Sequence, residues 1–293
     1  MSQAASDYVY KQFRADEMES HFNPRAVLPD VDGLIAERSA KSAETRKNLT
    51  NHRNLAYGDS ERQVVDIFPA DEPNAPVDVY THGGYWRAVS KDDVSALAEH
   101  FHAKGVTAVL LEYDLCPNVT LTDIVRQTRQ GLAWTYRNIA DYGGDPNRLY
   151  ISGSSAGGHL VAMMLAHDWE KEEGIPNDFI KGSVAITGVM DTDPVLHVTP
   201  NDQIRLTSEL ARENNPMLNP PKVRAPLVIV VGGNEPDGWR QMSKDYYELC
   251  KSNGVPCEYH EIPGTHHFSV TESVGEAGSL MQKLVFGQMG VAL

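Results

Sequence analysis

The sequence predicts an α/β fold, with a mostly parallel central sheet, helices on both faces and a helical lead-in at the N-terminus. Three observations carry the prediction. From Gln63 onward, β-type runs alternate with helical stretches, the pattern of strands joined by crossover helices. Two of the runs, 107–111 and 227–231, are almost continuously β-branched or aliphatic, as strands buried on both faces must be. Third, 293 residues with 41% hydrophobic and 23% charged side chains are enough for one large core, so 1–293 reads as a single domain.

In chain order, residues 1–55 differ from the rest in being polar and rich in helix formers. Two helices are expected there, 6–20 and 31–48, separated by Phe22-Asn23-Pro24 and placed to fold over the mouth of the core. Strands follow at 64–68, 77–81, 107–113, 149–152, 183–188, 227–231 and 258–262. Helices are expected at 91–104, 121–142, 158–167, 239–252 and 270–287. Segment 190–221, rich in Pro, Asn and Asp and lying between two strands, is expected to cover the site. Ligands in such folds bind beyond the carboxyl ends of the strands.

Composition narrows the function classes. Forty acidic against twenty-six basic side chains give a formal charge of −14, which argues against nucleic acid and anionic membrane as partners. Cys116, Cys250 and Cys257 are too few and too irregularly spaced for a disulfide framework or a zinc site. Residues 1–14 contain no apolar signal-like core and no segment approaches eighteen uninterrupted apolar residues, so a cytoplasmic location is expected. Val291 and Leu293 at the tail would permit a homodimer. No cofactor is expected, because neither Gly-x-Gly-x-x-Gly nor a glycine loop ending in Lys-Ser/Thr follows an early strand.

The chemistry concentrates in three places. Gly153-Ser154-Ser155-Ala156-Gly157 sits where a β-type run gives way to helix formers, a strand-to-helix turn that would hold Ser155 in a strained conformation and expose its hydroxyl. After the run 77–80 comes Thr81-His82-Gly83-Gly84-Tyr85-Trp86, whose glycines let backbone N–H groups approach an oxyanion. The N–H groups of Gly84, Tyr85 and Ala156 are placed around that oxygen. His82, Gly83, Tyr85, Trp86 and Ser154 are placed at the substrate, with His82 bracing the loop. A serine nucleophile also needs a base and an orienting acid, which in this ordering come later, acid before histidine. Glu235 and Asp237 follow the strand 227–231, and His266 and His267 follow the next. No third ligand at suitable spacing accompanies the histidine pair, so no metal site is expected.

Together, His82-Gly83-Gly84-Tyr85-Trp86, Gly153-Ser154-Ser155-Ala156-Gly157-Gly158-His159-Leu160, the acid loop at Glu235 and His267-Phe268 resemble the α/β-hydrolase family that contains kynurenine formamidase (arylformamidase). The similarity extends through Tyr113-Asp114-Leu115-Cys116-Pro117, Tyr142-Gly143-Gly144-Asp145-Pro146 and the lead-in Phe22-Asn23-Pro24-Arg25. The resemblance implies an α/β-hydrolase fold, Ser155 as nucleophile, His267 as base and Glu235, four residues before Trp239, as the acid. Ser154 departs from the histidine often found before the nucleophile in that family. The implied reaction removes a small acyl group from an aryl amide such as N-formylkynurenine through an acyl-serine. The alternatives are a carboxylesterase on aryl or short-chain esters and, from another class, a ligand-binding receptor on the same scaffold.

Overall fold

In a computed structural model, residues 8–292 are described. A small antiparallel hairpin, β1 (Tyr8–Tyr10) and β2 (Phe13–Arg14), opens the chain. The main sheet contains β3 (His52–Ala56), β4 (Val64–Phe68), β5 (Ala75–Thr81), β6 (Thr107–Leu111), β7 (Gly144–Ser154), β8 (Ile180–Ile186), β9 (Leu227–Gly232) and β10 (Cys257–Ile262). Its order is β10-β9-β8-β7-β5-β6-β4-β3. From β10 to β6 every neighbouring pair is parallel, whereas β4 and β3 close the far edge antiparallel.

Every residue of β5, β6 and β9 is buried, the consequence of helical layers on both faces. Two apolar clusters form, one on each side of the sheet. One gathers Val77, Val79, Ile151 and Ile229 with the helix Ala156–Leu165; the other gathers Tyr80, Leu110, Val184 and Val230 with Phe101 and Phe286. All ten residues of Ala156–Leu165 are buried. Each large aliphatic side chain there contributes about 1.5–3 kcal/mol relative to exposure, so the turn that precedes this helix is tied to the most deeply packed part of the molecule.

The lead-in departs from expectation. Ser6 and Asp7 lie outside the described residues, and from Tyr8 the stretch is a hairpin followed by the short helix Met18–Phe22. The aromatic side chains of Tyr10, Phe13 and Phe22 turn inward and pack edge-to-face, which a single helix over this stretch could not arrange. The helix Val31–Asn48 forms as expected, its N-terminus held by Asp30, whose side chain accepts from Gly33 N at 3.1 Å. Residues 52–55, the end of the expected extension 1–55, belong to the edge strand β3. The expected helix 270–287 is split into Ser269–Glu272, a 3₁₀ turn Ser273–Gly275 and Leu280–Gly287, with Gly278 at φ +76° in the break. The helix expected over 91–104 is likewise broken, leaving a 3₁₀ turn at Lys91–Asp93 and a helix at Leu97–His102.

The lead-in is clamped to segment 190–221. Tyr10 Oη donates to Asp191 Oδ2 at 2.7 Å, Asn215 Nδ2 donates to Asp191 Oδ1 at 2.9 Å, and Glu19 accepts from the Thr199 backbone N–H. No helix among the described residues is long and apolar enough to cross a membrane. Of the two tail residues named above, Val291 is partly buried against the second cluster and Leu293 lies outside the described residues.

Candidate active site

Ser155 stands between β7 and its helix at φ +58°, ψ −118°, a conformation that non-glycine residues rarely adopt. The neighbouring glycines are required by contact. A Cβ on Gly157 would lie 2.0 Å from the Thr81 carbonyl oxygen, and one on Gly153 would lie 2.5 Å from that of Gly157. The turn is fastened by Ser155 N donating to Ile186 O at 2.9 Å and by Thr81 Oγ1 donating to Gly157 O at 3.0 Å.

The 81–86 loop lies against this turn. A Cβ on Gly83 would approach Ser155 Cβ to 3.1 Å, and Gly84 sits at φ +105°, where a Cβ would strike the Ala88 carbonyl oxygen. Among the described residues, the N–H groups of Gly84, Tyr85 and Ala156 donate to no backbone or side-chain acceptor. Tyr85 Oη instead reaches the lead-in, donating to Phe22 O at 2.7 Å.

His267 follows β10, and its Nδ1 is 2.8 Å from Glu235 Oε2. Glu235 follows β9, and its second oxygen accepts from Gly232 N at 3.0 Å and from the Thr187 hydroxyl. Thr187 Oγ1 also lies 3.2 Å from His267 Nδ1, and the Trp239 ring stands edge-on to the imidazole at 4.7 Å. Asp237 is elsewhere: its side chain is 77% exposed and paired with Arg240, while that of Glu235 is 1% exposed. His266 Nδ1 is likewise engaged locally, facing the Phe268 and Ser269 backbone N–H groups at 3.3 Å.

Ser155, His267, Gly83, Gly84, Tyr85 and Ser154 line one cleft. Two expected substrate contacts do not reach it. Trp86, at φ +56°, turns into the core, fully buried, with its ring edge-on to His159 at 4.9 Å. His82 is also fully buried. It stacks on Tyr113 and holds Glu112 through Nε2 at 2.9 Å, so it braces the loop from behind. Segment 190–221 contributes Pro200, whereas Asn23, Pro24, Arg25, Ile35 and Arg38 enter from the lead-in.

The chain's residues 79–271 match the family model described as alpha/beta hydrolase fold. The chain belongs to the α/β-hydrolase family. This α/β-hydrolase is 28% identical to kynurenine formamidase of Danio rerio over 96% of its own length and 98% of that protein. It is 28% identical to kynurenine formamidase of Salmo salar over the same shares of the two chains. Its fold is similar to the crystal structure of a candidate thioesterase from a Silicibacter species, at TM-score 0.79 and 26% identity, covering 89% of this chain and 95% of that one. It is also similar to EstE1, a thermostable carboxylesterase cloned from a metagenomic library, at TM-score 0.70 and 17% identity, over 91% and 98% of the two chains. The chain is therefore a hydrolase with the α/β-hydrolase fold, resembling kynurenine formamidase.

Sequence reasoning missed Thr187, although its place at the carboxyl end of β8 is where such folds present functional side chains. It also missed Arg38, Arg87 and Thr271 in the cleft. Among the described residues, no cluster of three or more His, Cys, Asp or Glu is placed to hold a metal ion.

Proposed function

We propose that the protein is a serine hydrolase that removes a small acyl group from an aryl amide, with N-formylkynurenine, cleaved to kynurenine and formate, as the leading substrate. The observation that carries this reading is the Glu235–His267 pair at 2.8 Å, whose imidazole lines the same cleft as the strained Ser155. His267 takes the proton of Ser155 Oγ as that oxygen attacks the acyl carbon, and Glu235 holds Nδ1–H so that Nε2 is free to accept. The N–H groups of Gly84, Tyr85 and Ala156 stabilise the tetrahedral oxyanion. Removal of one such donor costs about 10²–10³ in rate. The protonated His267 then gives its proton to the leaving nitrogen, and water, activated by the same imidazole, releases the acid from the acyl-serine. No cofactor takes part in this scheme.

The amide is favoured over the ester by likeness to the fish kynurenine formamidases along nearly the whole chain. The second reading, a carboxylesterase on aryl or short-chain esters, is supported by likeness of fold to a carboxylesterase. The same machinery would serve it, because an alkoxide leaves more readily than an amine. The test is kcat/KM for N-formylkynurenine beside p-nitrophenyl acetate, with Ser155→Ala as control. Preference for the formamide is the expected result. Preference for the ester selects the second reading, and activity that survives in Ser155→Ala rejects both.

A further inference from the structure

The cleft has a charge opposite to that of the chain. In a protein with forty acidic and twenty-six basic side chains, the described residues lining it include Arg25, Arg38 and Arg87 but no Asp or Glu. Nor are these guanidiniums all neutralised within the protein. Arg25 is paired with Asp32 at 2.7 Å, but Arg38 makes no hydrogen bond or ion pair with any described residue. Arg87 donates through Nη1 to the neutral Gln203 at 2.6 Å and has no ion-pair partner among the described residues. The Nε groups of both Arg38 and Arg87 are buried without an acceptor among the described residues. Burial, and to a lesser degree Arg25, holds the Arg87 guanidinium below its ordinary range. In an adjoining cleft Arg38 shares the lining with two carboxylates: Glu37 is taken by Lys41 at 2.9 Å, and Glu272 makes no ion pair with Arg38. Buried donors without acceptors and cations without counter-ions cost free energy, and a bound anion relieves both.

We propose that the cleft selects acyl substrates whose aryl leaving group carries a carboxylate, held by the guanidinium groups of Arg38 and Arg87 while Ser155 attacks the acyl carbon at the other end. The inference rests on the serine-hydrolase reading above and deepens it: N-formylkynurenine carries a carboxylate on its leaving group, and Arg38 and Arg87 are assigned here as the residues that select for that group. The apolar walls beside the two arginines, Tyr85, Phe268 and Ile35, suit the aryl ring that joins the two ends.

The experiment uses two matched pairs, N-formylanthranilate with formanilide and 3-acetoxybenzoate with phenyl acetate. The ratio of kcat/KM between charged and neutral members is measured for the wild type and for Arg38→Gln, Arg38→Lys and Arg87→Gln. A charge-assisted contact predicts that the wild type favours the carboxylate tenfold to a hundredfold and that each Gln variant loses most of that ratio. Arg38→Lys should retain part of it. Arg126→Gln, which removes an exposed cation paired with Asp123 on another helix, should leave the ratio where it was. Binding of benzoate, benzamide and phenylphosphate to the full-length Ser155→Ala protein, by calorimetry, supplies a readout without turnover.

Equal kcat/KM within both pairs, with benzoate binding no tighter than benzamide, overturns the proposal. Phenylphosphate binding tighter than benzoate overturns the carboxylate assignment in favour of a phosphoryl group. If no pair is turned over yet benzoate binds in an Arg38-dependent way, the anion site stands and the serine-hydrolase reading is the one that fails.

Discussion

Replacing Glu235 by Gln tests the assignment of the acid with almost no change of shape. Glu235 Oε1 accepts from Gly232 N–H at 3.0 Å and from the Thr187 hydroxyl, so the Gln carbonyl oxygen must occupy that position to keep both donors satisfied. The amide nitrogen is then forced toward His267 Nδ1, where the carboxylate oxygen now sits at 2.8 Å. Two donors cannot face each other, so Nδ1 becomes the acceptor and the ring proton moves to Nε2, the atom that must accept from Ser155. An acid-to-amide change of this kind lowers kcat by about 10⁴, which at 1.36 kcal/mol per decade is roughly 5 kcal/mol of lost transition-state stabilisation. The companion Asp237→Asn removes only an exposed ion pair with Arg240, worth about 0–1 kcal/mol of stability, and should leave kcat within about threefold. Both variants are assayed by steady-state kinetics on N-formylkynurenine and p-nitrophenyl acetate, with thermal unfolding to establish that each is folded. A folded Glu235→Gln enzyme keeping more than a tenth of wild-type kcat, or Asp237→Asn proving the more damaging of the two, refutes the reasoning.

Two further outcomes concern stability. Asp78, fully buried in β5, accepts from Ser152 Oγ at 2.5 Å through one oxygen while its other oxygen has no partner among the described residues, and burial raises its pKa from 3.8 to about 7. The folded state therefore keeps a proton that the unfolded chain releases above about pH 4, so this residue makes stability fall as pH rises from about 4 to about 7, by up to roughly 1.4 kcal/mol per unit. Asp78→Asn should flatten that slope, giving a Tm at pH 8 closer to that at pH 5 than in the wild type; an unchanged difference rules out the buried proton. Gly157→Ala places a methyl group 2.0 Å from the Thr81 carbonyl oxygen. Overpacking costs about 1–3 kcal/mol even where side chains can yield, so Tm should drop by several degrees, at about 2–4 °C per kcal/mol, with activity falling alongside. A Tm within one degree of wild type would mean that the turn is looser than its contacts imply.

The strands that were legible are those buried on both faces. Runs such as 107–111 and 227–231 carry their burial in their composition; the strand expected at 107–113 ends two residues earlier, at Leu111, and the one expected at 227–231 extends one residue further, to Gly232. The edge strand β3 was not legible, because His52, Arg53 and Asn54 are exposed, with Asn54 at φ +56°. Its pairing is secured from the next strand, where buried Asp66 accepts from Asn54 N at 2.7 Å and Arg53 Nε at 3.1 Å. A period-2 signal cannot report a strand whose stability comes from a partner's carboxylate. The lead-in failed for a related reason: good helix formers were overridden by the inward packing of Tyr10, Phe13 and Phe22.

The site divides along the same line. Ser155 and its glycines were readable because the constraint is local: the strained turn dictates which residue types can stand within two positions of it. Trp86 was misread because a positive φ turned it into the core, which the order of residues in the loop does not reveal. The charge of the cleft was still less readable. Arg25 and Arg38 belong to the lead-in and are over a hundred positions from Ser155 in the chain, and only the packing of residues 18–48 across the carboxyl edge of the sheet brings them into one cavity with Arg87. A formal charge of −14 speaks for the exterior, where most of the forty acids lie. It bears on large polyanionic partners and says nothing about a small anion, because steering over the surface and recognition in a walled cleft depend on different residues.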